Sequence, residues 1–169
     1  MNTFDAIINR RSCKNFDPRI EPKKGIVAFI AKSGTFAATG MNRQSPIILV
    51  VTNKELRDKI AKKNAEILGI DTDPFYGAPT VIVVLAKKDV STHVYDGSLV
   101  MANMMLTATD CGLGSCWIHR AKETFTPEFQ KELGLDGSYE GIGNLVIGYP
   151  KGAPRETPVY KEDYIRWYE

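Results

Sequence analysis

Apolar residues fall into short blocks along the 169 positions, separated by polar, glycine and proline punctuation. At the start, Asn2 or Thr3 can cap a short helix through Asn9, and Pro18 marks the loop that follows. Pro22 suits the first turn of a second helix, in which Val27, Ile30 and Ala31 recur at helical spacing until Gly34 or Gly40. A polar loop over 38–46 leads to Ile47-Ile48-Leu49-Val50-Val51. That β-branched run, bounded by Pro46 and Asn53, predicts a strand buried on both faces. A helix from Lys54 to about Ile67 follows, then a Gly, Pro and aromatic loop from Gly69 to Gly77 able to cover a ligand. Pro79 introduces a second buried strand, Thr80 to Leu85.

Between Ser98 and Cys111 the apolar positions Leu99, Val100, Met101, Ala102, Met104, Met105, Leu106 and Ala108 go round the whole helix. Such a helix is expected to be buried on all sides, at the centre of one subunit or between two, and a dimer is the favoured expectation. Gly112 caps it in the left-handed conformation. Ser115 to Ile118 reads as a third strand, Pro127 to Leu133 as a weaker helix, and Ile142 to Tyr149 as the last strand. From Pro150 the chain is rich in proline and charge yet ends in Tyr164-Ile165-Arg166-Trp167-Tyr168, so the tail is expected to pack on its own domain or on a partner subunit. There is no internal repeat, and residues 1–169 read as one domain.

Composition narrows the partners. A net charge of +2 is too small for a nucleic-acid footprint, and an anionic small molecule fits better. No apolar run reaches membrane-spanning length and the N-terminal residues lack signal-peptide character, so a cytoplasmic location is expected. Cys13, Cys111 and Cys116 are odd in number and unevenly spaced, which argues against a disulfide framework.

Candidate chemistry begins at Arg10-Arg11-Ser12-Cys13-Lys14-Asn15-Phe16, where three cations and a hydroxyl can hold a phosphate dianion. The competing reading is a set of cations at a helix end, favoured by the helix dipole. Gly112-Leu113-Gly114 is no dinucleotide fingerprint, because it follows a helix and precedes a strand, the reverse of the required order. Its glycines suit a helix cap and a close backbone approach. Strand alternation sends Cys116 and His119 to opposite faces, which disfavours a metal site, and His93 falls in a polar turn as a solvated residue.

Four segments in order, Arg10 to Phe16, Thr39-Gly40-Met41-Asn42-Arg43-Gln44, Ala102 to Leu106 leading to Gly112-Leu113-Gly114-Ser115-Cys116-Trp117, and Gly148-Tyr149-Pro150, resemble the nitroreductase family of flavin-dependent oxidoreductases. The resemblance implies an α+β fold with a central mixed β-sheet flanked by helices, an interlocked homodimer, and FMN at the subunit interface. It assigns the FMN phosphate and ribityl chain to Arg10, Arg11 and Ser12, and places Lys14 near flavin N1 and O2. Thr39, Gly40, Asn42 and Gln44 would reach the flavin of the other subunit, although Ala38, Thr39, Gly40, Ser45 and Pro46 depart from the common loop pattern. Backbone amides of Trp117, Ile118 and His119 would approach flavin N5, Asn64 the ring edge, and Arg155 or Lys161 the phosphate, with Lys161 ranked ahead. Phe75, Tyr76 and Met41 are candidates for the pocket lining. The implied activity is reduction of nitroaromatics, quinones or related acceptors by NADH or NADPH in alternating half-reactions through flavin. Two other readings stand beside it: a flavin-binding or flavin-buffering protein with little turnover, and a thiol-dependent enzyme using Cys13 or Cys116.

Overall fold

A computed structural model describes residues 1–153 and 156–169. Helix α1 (Thr3–Asn9) starts where the Asn2 side chain accepts the Asp5 N–H, and α2 (Lys24–Gly34) follows Pro22. After a short 3₁₀ turn at Gly40–Asn42 come β1 (Pro46–Val51), α3 (Lys54–Leu68) and β2 (Thr80–Lys87). The central helix α4 (His93–Asp110) leads into β3 (Gly114–Ile118), the short helices α5 (Ala121–Thr124) and α6 (Pro127–Glu132), and β4 (Tyr139–Gly148). Every helix and strand predicted above is present. The four-residue α5 is the addition, too short to carry a periodic signal.

The strands pair in the order β1-β2-β4-β3, all antiparallel, and the one parallel pairing among the described residues is an isolated bridge between Ser12 and Ser115. Alternation along β2 divides the core. Val81, Val83 and Leu85 face a cluster with Ile60, Ala61 and Phe129 from α3 and α6, whereas Ile82, Val84 and Ala86 face Val27, Ile30, Val100, Met101 and Met104 from α2 and α4. This makes an α+β domain with helices on both faces of one sheet.

Two expectations change, for β1 and for His93, and the alternatives left open for α4 and the tail narrow. The run from Ile47 to Val51 is not buried on both faces: β1 is an edge strand of this chain, and Val50 is exposed. Helix α4 buries Val100, Met101, Met104 and Ala108 but leaves Tyr95 and Leu99 exposed, so a single chain does not cover all its sides. The tail touches its own domain where Arg11 donates to Thr157, but its aromatic end is not covered by it: Tyr160, Tyr164, Ile165, Trp167 and Tyr168 are all exposed. His93 is also not in a solvated turn. It opens α4 with Nδ1 2.8 Å from the Val90 carbonyl and Nε2 3.6 Å from Glu140 Oε1.

Candidate functional site

The N-terminal segment after α1 is held as an extended ribbon between two strand ends. Cys13 N–H donates to Ser115 O at 2.9 Å, Asp17 N–H to Tyr149 O at 3.0 Å, and Phe16 N–H to Tyr76 O at 3.2 Å. Asn15 and Lys151 exchange two bonds, Lys151 N–H to Asn15 O at 2.9 Å and Asn15 Nδ2 to Lys151 O at 3.0 Å. This close approach explains the second glycine of Gly-Leu-Gly. A Cβ at Gly114 would lie 2.8 Å from Cys13 Cβ, while Gly112, at φ +73°, turns the chain out of α4.

The ribbon walls a cleft of about 460 Å³ lined by Arg11, Ser12, Lys14, Lys151 and Gly114 among others. Three cations and a hydroxyl therefore meet in one place. Lys14 also lines a second cavity of about 200 Å³, together with Asn64, Tyr76, Trp117, Ile118, His119 and Arg120. The structure thus brings five predicted residues, Lys14, Asn64, Trp117, Ile118 and His119, to one cavity from three distant segments.

Asn64 is fully buried on α3, where its Nδ2 donates to His119 O at 2.9 Å. Asn144 of β4, equally buried, reaches the same carbonyl at 3.4 Å. Their Oδ1 atoms, and the Oγ of buried Ser115, have no hydrogen-bond partner among the described residues. Such orphaned acceptors are uncommon in folded chains, and where one belongs to a cavity-lining residue, as Asn64 does, a donor from a ligand or a water can satisfy it. Asn144, Arg120 and Lys151 were missed from the sequence. An asparagine inside the apolar run from Ile142 to Ile147 was the readable signal for the first, and adjacency to Gly148-Tyr149-Pro150 was the signal for the last.

Thr39, Asn42 and Gln44 line a separate cleft of about 420 Å³ with Gly34, Ile47 and Val100, sharing no lining residue with the other two. Within one chain the loop does not meet Lys14. Its shape is set by Thr39, whose carbonyl accepts Asn42 N–H at 3.0 Å and whose Oγ1 accepts Gln44 N–H at 3.1 Å. Gln44 Nε2 donates to Asn42 Oδ1 at 3.0 Å. Gly40 uses both backbone groups in its own chain: its N–H donates to buried Asp96 Oδ1 at 2.9 Å and its carbonyl accepts Arg43 N–H at 3.1 Å. Gly40 is thus an anchor of the loop. Thr39→Val should cost about 0.5–1.5 kcal/mol of stability and speed amide exchange over 40–44, as expected for one lost hydrogen bond. Equal exchange in the two proteins would remove Thr39 from that role.

Met41, Asn42, Gln44, Tyr76 and Arg120 are the non-glycine residues with positive φ among those described. All of them lie in the loop at 39–44 or line the Lys14 cavity, and backbone strain of this kind gathers at ligand clamps.

Several predicted residues are placed elsewhere. Arg11 fits the helix-end reading of the basic cluster: its Nη1 donates to Ile8 O and Arg10 O, each at 2.8 Å, closing the end of α1, while Nη2 reaches Thr157 Oγ1 at 2.6 Å. Arg10 is half-buried, and its side chain has no partner among the described residues. Lys161 stands in the exposed tail, 3.8 Å from Asp163 and over the Tyr164 ring, and is not among the residues lining the cleft. Arg155 lies outside the described residues. Phe75 does not line a pocket, since it is buried in the core under the Arg57 guanidinium. Burial and the adjacent Asp110 push the Cys111 thiol up, which disfavours thiolate chemistry there. No group of three or more potential metal ligands occurs among the described residues, and no helix there is long and apolar enough to cross a membrane.

Comparison with known proteins finds similarity in sequence pattern and in fold. A family model described as the nitroreductase family matches residues 7–72 and 69–149. An FMN-bound nitroreductase from Bacteroides fragilis is 26% identical, superposes with a TM-score of 0.87, and each chain is covered in full. An FMN-bound nitroreductase from Desulfitobacterium hafniense is 27% identical with a TM-score of 0.86, again over the whole of both chains. An iodotyrosine deiodinase bound to FMN and 3-iodo-L-tyrosine, 18% identical with a TM-score of 0.79 over 99% of this chain and 100% of its own, shares the fold. No curated protein sequence matches significantly. Because the two matched segments together span residues 7–149, and contain the Arg11–Lys14 ribbon, the loop at 39–44 and the strand at 115–118, the chain belongs to the nitroreductase family.

Proposed function

We propose that this protein is an FMN-dependent NAD(P)H oxidoreductase, working as a homodimer on a small acceptor such as a nitroaromatic or a quinone. The observation that carries this reading is an anion cleft and a neighbouring cavity that share Lys14, the cavity being lined by Asn64, whose Oδ1 has no hydrogen-bond partner among the described residues. A phosphate-bearing cofactor with a polar ring edge suits that pair. Bound FMN supplies the chemistry, taking a hydride from a nicotinamide and passing reducing equivalents to the acceptor.

The chain's residues bind and orient. Arg11, Ser12 and Lys151 would hold the phosphate in the cleft, with Arg10 nearby as a further cation in the same segment. Lys14 would set a fixed positive charge where the ring gains negative charge on reduction. Asn64 and Asn144 hold the His119 carbonyl inward, which turns the opposite edge of that peptide, the Arg120 N–H, away from them. Asn64 Oδ1, which has no partner among the described residues, would accept from the ring edge. Asn42 and Gln44, with Thr39 behind them, would complete the site on the partner subunit.

The dimer reading is supported by apolar surface that one chain leaves uncovered: Phe4, Phe29 and Phe36, Tyr95 and Leu99 of α4, and the aromatic tail. Purified protein should sediment as a dimer, retain or take up FMN, and lose its yellow colour anaerobically on addition of NADH or NADPH, with a nitroaromatic restoring it. Failure to take up FMN would sink this reading. Uptake without bleaching would identify a flavin-buffering protein instead.

A further inference from the structure

Tyr76 holds a backbone conformation that its own side chain disfavours. Its φ is +56°, in the left-handed region where a bulky aromatic residue is strained. The surroundings hold it there firmly. Asp73 Oδ1 accepts Phe75 N–H at 3.0 Å, and Oδ2 accepts both Gly77 N–H at 2.9 Å and the Arg57 Nη2 at 2.6 Å. Arg57, buried on α3, also donates from Nε to Ala78 O at 3.0 Å and lies over the Phe75 ring, 5.2 Å from its centroid. The Tyr76 carbonyl in turn receives Phe16 N–H from the N-terminal ribbon.

Glycine or asparagine would follow the same turn with less strain, so the path of the chain does not require tyrosine. What tyrosine adds is a ring. Lys14 Nζ stands 5.8 Å from the centroid of that ring, and both residues line the cavity shared with Asn64 and residues 117–120. Lys14 is otherwise exposed and makes no hydrogen bond or ion pair among the described residues. A lysine on a flexible four-carbon stem samples many rotamers, and the negative face of an aromatic ring narrows that choice.

We propose that Tyr76 is the positioning residue for Lys14: the clasp between Arg57 and Asp73 holds Tyr76 in its left-handed turn, and the ring keeps the Lys14 ammonium at the junction of cleft and cavity. This rests on the FMN reading above. It separates a residue that touches the cofactor from one that acts only through Lys14.

The test compares the flavin reduction potential, the FMN Kd by fluorescence titration of apoprotein, and the melting temperature in the intact protein and its variants. Tyr76→Asn relieves the left-handed turn but gives up the packing of a half-buried ring against the core, so its melting temperature is expected to stay close to the parent's. Its potential should nevertheless shift in the negative direction, as in Lys14→Ala, and its FMN Kd should rise about two- to fivefold, the scale of a solvent-edge cation–π contact. Tyr76→Phe, which returns the ring, should restore both values. In the pair Lys14→Ala/Tyr76→Asn the second change should add nothing to the first. Tyr76→Gly gives the same readouts if the asparagine variant does not accumulate. A potential that depends on Lys14 but ignores Tyr76, or effects that simply add in the pair, would overturn the proposal alone. A potential that ignores Lys14 itself would overturn both the FMN placement and this proposal.

Discussion

Lys151→Ala should weaken FMN binding by about 1.5–3 kcal/mol, the worth of a hydrogen bond to a charged group, and Arg11→Ala/Lys151→Ala together by about 3–5 kcal/mol. The two cations line one cleft, so their losses are expected to fall short of strict addition. They differ in what else they do. Arg11 donates to Ile8 O and Arg10 O at the end of α1 and to Thr157 in the tail, so its removal frays a helix end as well as emptying half of an anion site. Lys151 makes no such side-chain bond among the described residues, and its backbone bonds to Asn15 survive replacement by alanine. Lys151→Ala is therefore the cleaner probe. Fluorescence titration of apoprotein with FMN measures the loss, and raising the salt concentration should shrink the difference between parent and variant. An unchanged Kd in Lys151→Ala would show that the phosphate does not lie in this cleft.

Gly141→Ala should destabilise the fold by about 3 kcal/mol or more, the upper range for overpacking a core. A Cβ at Gly141 would lie 2.2 Å from the carbonyl carbon and oxygen of Ala121, and these are backbone atoms that no rotamer change can move. Relief requires α5 to shift away from β4. Arg120, the left-handed residue that precedes α5 and lines the Lys14 cavity, would shift with it. Thermal unfolding should thus fall by roughly 10 °C, given about 2–4 °C per kcal/mol for a domain of this size, and FMN affinity should fall too. Gly25→Ala supplies the contrast. A Cβ there meets nothing within 4 Å, and the position lies inside α2, so the substitution should be neutral or stabilising by about 0.5–1 kcal/mol. Equal melting of Gly141→Ala and the parent would show that α5 can yield freely.

Local chemistry made most elements readable. Asn2 and Asn53 cap α1 and α3 through their side chains, Gly112 turns the chain out of α4, and the apolar run from Thr80 to Leu85 forms the central strand β2. Burial was harder to read where it depended on neighbours far along the chain. The run from Ile47 to Val51 is as apolar as β2, yet it lies at the edge, because strand order is decided by long-range pairing. Much of α4 is likewise apolar on every side, while one chain covers only part of it. Some site residues were visible as types, such as Lys14 and Asn64. Their partners were not, since a carbonyl shared by Asn64 and Asn144 has no signature in composition or spacing.

From the residues alone came the element order, the basic ribbon after α1, the glycine turn into β3, and the likeness to a family of flavin enzymes. These rest on nearest-neighbour effects: capping, periodicity, and glycine at a left-handed φ. Tertiary structure decided which cations share a space. It put Lys151 in one cleft with Arg11 and Lys14, left Lys161 in the exposed tail outside that cleft's lining, and gave Gly40 to Asp96. It also set Tyr76 against Lys14 across 62 positions of sequence. Such placements follow from strand pairing and the packing of helices on two faces of one sheet, which bring distant residues together at distances no local pattern encodes.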